Sequence, residues 1–276
     1  MSKAVCPVCF HHCSLEEGQT GLCRARKNTG GAVTAANYGR VTALALDPIE
    51  KKPLVHFFPG TRILSLGSFG CNLRCPFCQN HSIADADEAS CGGVRIMTPE
   101  DVLEEAMRTE SMGNIGAAFT YNEPLTGYEF VRDTARLIKR AGLKTVLVTN
   151  GTAELPVLEE LLPYTDAMNI DLKSFRAENY RKLGGSLETV LRFIRRAHKD
   201  CHVELTTLIV PGISDSPEDM EREADWIASM DPETVLHITR YFPRHKMAYP
   251  PTDIGLMRTL AAAARKSLKY VFLGNV

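Results

Sequence analysis

The sequence predicts an α/β protein built on a partial, open TIM-like (β/α)6 barrel, with a small cysteine-rich module at its N-terminus. From residue 62 onward, seven short apolar runs rich in β-branched residues alternate with segments of helical periodicity. Such alternation is typical of right-handed βαβ units and a parallel sheet. Six units are fewer than the eight of a closed barrel. A doubly wound open sheet is the alternative architecture.

The predicted strands and helices follow one another in a regular order. The strands are RILSLGSF, IGAAFTY, KTVLVTN, AMNIDLK, HVELTTLIV, TVLHITRYF and YVFLGNV. Two helix starts are marked by TPEDVLEEAM and SPEDMEREADWI. In these segments Thr98 and Ser216 are hydroxyl N-caps, followed by a proline and by acids in the first turn. Leu187, Val190 and Ile194 form the apolar stripe of a further helix.

The first part of the chain lacks this rhythm. We predict a module over residues 1–58 and the barrel over residues 59–276. The module contains a first cysteine cluster and then GGAVTAANYGRVTALALDP, in which apolar residues and a glycine favour a short hairpin. It ends in the proline-flanked stretch DPIEKKPLVHFFPG.

Composition excludes several classes of protein. The chain has 276 residues with 32 Lys+Arg and 33 Asp+Glu, a net charge of −1, so no global field favours nucleic acid or an anionic membrane. No apolar run approaches the ~20 residues of a membrane helix, and the first residues lack the apolar core of a signal peptide. We expect a cytoplasmic monomer. In that reducing compartment, nine cysteines indicate metal or redox chemistry rather than disulfides.

Unusual polar residues occur where the predicted strands end. In both candidate architectures the active site lies at the carboxyl ends of the strands. The residues found there, in strand order, are Cys71, Cys75 and Cys78; Glu123; Asn150; Asp171 and Lys173; and Arg240, Tyr241 and Arg244. We therefore predict a single site on this rim.

The stretch GCNLRCPFCQN places Cys71, Cys75 and Cys78 in a Cx3Cx2C triplet after the first strand. A structural zinc site uses four protein ligands, so it would need a fourth group such as His81. A cubane [4Fe–4S] cluster has four irons, and three thiolates leave one of them open to a ligand.

The segment CNLRCPFC resembles the signature of the radical S-adenosylmethionine (SAM) superfamily, with an aromatic residue, Phe77, before the last cysteine. The resemblance implies a radical SAM barrel with a [4Fe–4S] cluster whose open iron binds SAM. It also implies reductive cleavage of SAM to methionine and a 5′-deoxyadenosyl radical, which abstracts hydrogen from a substrate.

The same resemblance implies SAM contacts on the rim. Glu123 in TYNEP resembles the acid of the superfamily's Gly-Gly-Glu-Pro motif, although Tyr121 and Asn122 replace the two glycines. Asn150 resembles the ribose-binding position of pyruvate formate-lyase activating enzymes. Asp171 and Lys173 resemble the DLK motif that contacts the carboxylate side of SAM in those enzymes, and Phe77 completes the implied set.

The first cysteine cluster contains Cys6, Cys9, Cys13 and Cys23 with spacing Cx2Cx3Cx9C. Four thiols suffice for a closed zinc site or for an auxiliary iron–sulfur cluster. Because a core-poor module gains folding energy from a bound metal, a structural metal is the favoured interpretation. The sequence does not decide between zinc and an iron–sulfur cluster.

The whole chain resembles a narrower group, the radical SAM enzymes of the AmmeMemoRadiSam system, relatives of pyruvate formate-lyase activating enzymes. This resemblance implies an electron donor of the flavodoxin or ferredoxin type. The substrate is either a partner protein that gains a glycyl radical or a small molecule handled with Memo-type partners. A non-catalytic zinc-binding adaptor, with both cysteine groups structural, is the alternative from a different class. No catalytic residue is assigned beyond the cofactor contacts.

Overall fold

The computed structural model describes residues 3–276. The cysteine-rich region consists of short strands and loops, in which β1 pairs with β2 and β3 with β4, both antiparallel. The strand β5 pairs with the later strand β8. These strands are β1 (Ala4–Val5), β2 (Ser14–Leu15), β3 (Arg26–Thr29), β4 (Ala32–Ala35), β5 (Arg40–Val41) and β8 (Arg95–Ile96).

The main sheet has eight strands among the described residues, in the order β14-β13-β12-β11-β10-β9-β7-β6. Seven of these, from β7 to β14, are mutually parallel, and β6 lies antiparallel to β7. The sheet is open in the described chain, because β14 and β6 are its two edges. This arrangement confirms the predicted partial barrel. The strands are β6 (Ala43–Pro48), β7 (Arg62–Gly67), β9 (Asn114–Phe119), β10 (Lys144–Thr149), β11 (Ala167–Asp171), β12 (His202–Ile209), β13 (Val235–Arg240) and β14 (Val271–Gly274).

Helices cover the outer face of the sheet. Thr98 caps its helix with a reciprocal capping box to Asp101, and Ser216 accepts from the backbone N–H of Asp219, so the hydroxyls predicted to start these helices do so. The helices are α1 (His81–Ala84), α2 (Pro99–Arg108), α3 (Tyr128–Arg140), α4 (Leu155–Leu161), α5 (Ala177–Lys182), α6 (Leu187–Ala197), α7 (Pro217–Ala228) and α8 (Ile254–Ala264). None of the described helices is long and apolar enough to cross a membrane.

The strand β6 shows where the sequence analysis read the chain differently. We placed residues 43–48 in the N-terminal module, but they extend the barrel sheet by pairing with β7. Alternating residues such as Leu44 and Leu46 lie opposite Leu66 and Leu64, and that pattern does not reveal which partner strand will be used. The boundary at residue 58 stays a prediction.

The segment of residues 49–58 fills the inside of the barrel, and we call it the plug. Its apolar side chains form a buried cluster with strand residues and with no helix residue of the described chain, which places the cluster on the inner face. Two inward polar groups hold its backbone. Asn169 donates its amide to the Pro53 carbonyl at 2.9 Å, and the Glu204 carboxylate accepts from the N–H groups of Val55 and His56 at 3.0 and 2.8 Å.

Glu204 is fully buried and also accepts from His202 at 3.0 Å and His237 at 2.6 Å. Burial alone would raise the pKa of this carboxyl, but the bonds from the two histidines and the two backbone N–H groups lower it to about 2. Glu204 is therefore an ionised anchor for the plug.

We expect Glu204→Ala to lower the free energy of unfolding by about 3–5 kcal/mol, because it leaves buried donors without an acceptor. Urea denaturation of the two proteins measures the difference. The matched control is Glu233→Ala, which removes an exposed partner of Lys269 and should change stability by less than about 0.5 kcal/mol. Equal effects of the two substitutions would contradict the anchoring role.

Candidate functional site

Three thiols lie together on the loop that follows β7. Cys71, Cys75 and Cys78 are partly exposed, and each is a free thiol. The loop is fixed from three sides: the N–H of Cys71 donates to the Cys23 carbonyl at 3.1 Å, Arg74 to Leu183 at 2.8 Å, and Lys246 to Pro76 at 2.9 Å. The triplet therefore stands on a braced loop at the carboxyl end of the first parallel strand.

The positive charge of the Lys173 ammonium group acts on all three thiols. Burial raises the pKa of all three thiols, and the charge of Lys173 opposes that rise in each. Lys173 itself donates to Asp171 at 2.9 Å. Burial alone would lower the pKa of Lys173, but the carboxylate of Asp171 and the thiol of Cys75 raise it well above its ordinary value. The charge of Lys173 therefore lessens the cost of thiolates at this site.

Glu123 is 3% exposed and joins the ends of two strands. One oxygen accepts from the Thr149 hydroxyl at 2.7 Å and from the Leu125 N–H at 3.0 Å, and the other accepts from the Asn150 N–H at 2.8 Å. Burial raises the pKa of Glu123 to about 7, although these bonds oppose the rise. The second oxygen keeps lone-pair capacity for a further donor.

Asn150 and Asn72 link that acid to the thiols. The Asn150 amide donates to the Asn72 carbonyl oxygen at 3.0 Å and approaches the Cys71 sulfur at 3.8 Å, while Thr152 donates to Asn150. The amide of Asn72 donates to the Thr152 hydroxyl at 2.8 Å. Asn150 thus already works within the protein, as a brace for the cysteine loop.

Phe77 is buried, at 4% exposure, in an apolar cluster with Leu183, Val210 and Tyr241. Val210 and Tyr241 follow β12 and β13, so this cluster ties the cysteine loop to the far side of the rim. Of the residues predicted for the site, the structure brings Cys71, Cys75, Cys78, Glu123, Asn150, Asp171 and Lys173 into one connected group. The roles assigned to them and to Phe77 stay predictions.

Tyr121 is a feature of the site that the sequence did not reveal. Its backbone φ is 72°, a left-handed conformation that is costly for a residue with a side chain. Its ring lies against Gly67, where an added Cβ would come within 2.8 Å of a ring carbon. Its hydroxyl donates to Asp47 at 2.8 Å, and the ammonium of Lys52 lies 4.8 Å from the ring centroid and 2.9 Å from Asp47.

Burial and the bond to Asp47 raise the pKa of Tyr121 to about 12, so the phenol stays protonated. A Tyr–Asp–Lys network therefore connects the loop after β9 with the plug. The sequence signal for it is the presence of Tyr121 and Asn122 in place of two glycines before Glu123. A surface depression lined by Asp166 and His202 lies elsewhere, at the opposite ends of the strands.

The raised pKa of Glu123 predicts that the free energy of unfolding depends on pH. Its folded pKa of about 7 lies above the ordinary 4.5, so between these values the folded state holds a proton that the unfolded state has lost. Glu123 thus contributes on the order of 3 kcal/mol to the free energy of unfolding below pH 4.5. This contribution is lost as the pH rises through about 7.

We therefore expect the free energy of unfolding of Glu123→Gln to fall less between pH 5 and pH 8 than that of the wild type, at equal iron content. Glu221→Gln, which changes an outer residue paired with Lys266, should reproduce the wild-type slope. Parallel pH profiles for wild type and Glu123→Gln would overturn the assignment of this titration to Glu123.

Comparison with known proteins gives matches across this site. A sequence profile described as the Radical SAM superfamily matches residues 66–227. An uncharacterized protein of Methanocaldococcus jannaschii is 40% identical over 282 residues, covering 100% of this chain and 82% of that protein. The pyruvate formate-lyase 1-activating enzyme of Escherichia coli strain K12 is 32% identical over 179 residues, covering 62% of this chain and 70% of the enzyme.

Among solved structures, a radical SAM methyltransferase from Sphaerobacter thermophilus superposes with a TM-score of 0.57 at 14% identity. The superposition covers 79% of this chain and 67% of that one. At this identity the likeness supports the barrel fold alone.

Proposed function

The chain belongs to the radical SAM superfamily, and we propose that it is an enzyme that holds a [4Fe–4S] cluster on Cys71, Cys75 and Cys78 and cleaves SAM reductively. When bound, such a cluster supplies the electron that breaks the C5′–S bond of SAM, giving methionine and a 5′-deoxyadenosyl radical that takes a hydrogen atom from the substrate. The observation that carries this proposal is the set of three free thiols on one rim loop. The family favours an enzyme over the zinc-binding adaptor.

The chemistry of the donor set fits the cluster. Three thiolates satisfy three irons and leave the fourth for SAM. The charge of Lys173 favours the thiolate forms of all three cysteines, and the N–H of Leu73 donates to the Cys71 sulfur at 3.4 Å. The loop thus supplies the ligands, and Lys173, which follows β11, supplies part of the charge balance.

The surrounding side chains suit the polar groups of SAM. In the proposed complex Glu123 accepts hydrogen bonds from the ammonium of SAM with its less occupied oxygen, and Lys173 donates to the carboxylate. Asp171 keeps Lys173 in place through their ion pair. Asn150 is assigned to the ribose and Phe77 to a wall of the SAM pocket, on the family resemblance alone.

For the substrate we propose a partner protein that receives a radical on its backbone, because a relative carries the name pyruvate formate-lyase 1-activating enzyme. The plug occupies the lower interior of the barrel, so a substrate reaches the site from the rim, where a protein loop can enter. A flavodoxin- or ferredoxin-like donor in a reducing cytoplasm completes the proposed system.

A small-molecule substrate is the second candidate, and the Tyr–Asp–Lys network favours it. Lys52 is 2% exposed, and its ammonium can donate three hydrogen bonds, of which Asp47 accepts one. A small anionic substrate that enters the barrel would find a donor there. A Memo-type partner would then act on the product of the reaction.

Replacing Cys75 by Ala is expected to remove the iron, the sulfide and the brown charge-transfer absorbance of the triplet's cluster, because two thiolates cannot hold it. Anaerobic reconstitution followed by iron and sulfide analysis measures the loss. The matched control is Cys91→Ala, a thiol on an exposed loop with no assigned role. A Cys75→Ala protein with unchanged iron and sulfide would rule out this ligand set.

Replacing Lys173 by Met or Glu123 by Gln should weaken SAM binding about ten- to a hundredfold, because each removes one charge-assisted bond of roughly 1.5–3 kcal/mol. The measurements are equilibrium SAM binding and dithionite-driven formation of 5′-deoxyadenosine, at equal iron content. Lys182→Met, which changes an exposed lysine on α5, is the control. Wild-type affinity and cleavage in both site variants would show that SAM binds elsewhere.

A further inference from the structure

The four N-terminal thiols enclose a second candidate site that the barrel chemistry does not use. Cys6, Cys9 and Cys23 are each less than 9% exposed and Cys13 is partly exposed, and all are free thiols. The four line one enclosed cavity together with His11 and Arg26. The four thiols that are clustered in the sequence therefore also lie together around one cavity.

Two of the sulfur atoms in this cavity lie close to N–H groups. The backbone N–H of His11 and the side chain of Asn72 are near the Cys9 sulfur. The backbone N–H groups of Ala25 and Arg26 are near the Cys23 sulfur. Such donors stabilise sulfur that carries negative charge, as in a metal thiolate.

Arg26 gives an independent indication of an anionic occupant. Its side chain is 4% exposed, and its outer nitrogens donate to Glu129 at 2.6 and 2.7 Å and to the Val33 carbonyl at 2.9 Å. Its Nε–H finds no acceptor within residues 3–276. An unpaired buried donor costs about 1–3 kcal/mol, so an acceptor in the cavity would satisfy a group that the protein leaves open.

We propose that Cys6, Cys9, Cys13 and Cys23 hold a second iron–sulfur cluster of the four-thiolate [4Fe–4S] type, with the Nε–H of Arg26 donating to one of its sulfurs. The sequence alone favoured a structural metal; the enclosed cavity and the open Arg26 donor favour the cluster, because its inorganic sulfides add acceptors that a single ion lacks.

The side chain of Asn72 lies between the two cysteine sets. The side chain of Asn72 lies near the Cys9 sulfur on one side, and on the other it accepts a hydrogen bond from Asn150, which approaches Cys71. The carbonyl of Cys23 accepts from the N–H of Cys71 at 3.1 Å, and His11 bonds the Asn72 carbonyl at 2.9 Å. A single electron from a donor protein would have a short path between the two sites; this role, unlike the site itself, rests on the proposed function.

The deciding experiment uses the full chain with Cys71, Cys75 and Cys78 all changed to Ala, reconstituted anaerobically with iron and sulfide in the presence of zinc. We expect about four irons and four sulfides per chain, against about eight of each in the wild type, and no stoichiometric zinc. Cys91→Ala/Cys201→Ala is the matched control and should keep the wild-type content. One zinc per chain, or no metal in a triple variant with wild-type circular dichroism, would overturn the second cluster.

A second measurement tests Arg26. In the triple-Ala background, Arg26→Gln should make the reduction potential of the remaining cluster more negative, because a positive charge and a bond to sulfur are lost. Arg26→Lys, which keeps the charge, should shift it less, and Lys27→Gln should leave it unchanged. An unchanged potential in Arg26→Gln would overturn the contact. SAM cleavage is read separately in the wild type, so its failure bears on the proposed function and not on the metal count.

Discussion

The groups on the rim of the barrel depend on the parallel direction of seven neighbouring strands. Because these strands all end on the same side, short loops that are far apart in the chain meet there without long excursions. The hydrogen bonds of Glu123 show the result. Its carboxylate lies after β9 and accepts from Thr149 and Asn150 at the end of β10, and Asn150 in turn holds the loop that follows β7. Three strand ends are thus joined by two side chains.

The fold was predictable because its signals are local. Apolar runs of β-branched residues marked the seven parallel strands, and hydroxyl caps before proline marked α2 and α7. The antiparallel place of β6 was not predictable in this way, since its pairing with β7 is decided across the plug that separates them. The location of the site also followed from the sequence, because parallel strands fix where their polar end residues must meet.

Other parts of the site depend on partners that are distant in the sequence and that no local sequence pattern predicts. Asn72 and Arg26 looked like ordinary loop and strand residues, yet Asn72 bonds groups 78 and 80 positions away and Arg26 bonds Glu129, 103 positions away. Asn150 was predicted as a ligand contact, and the structure shows its amide engaged with the protein on both ends. The left-handed backbone of Tyr121 needs compensation from Asp47 and Lys52, which lie in a segment assigned to a different module.

The plug also constrains how the chain folds. Val55 and its acceptor Glu204 are 149 residues apart, and Pro53 and Asn169 are 116 apart. Contacts between residues so far apart in the sequence carry a large entropic cost of loop closure and form late in folding. During synthesis the plug leaves the ribosome well before β11 and β12, so it stays solvent-exposed until most of the barrel exists. Its apolar residues Leu54 and Phe57 are therefore a segment that chaperones can bind in the nascent chain.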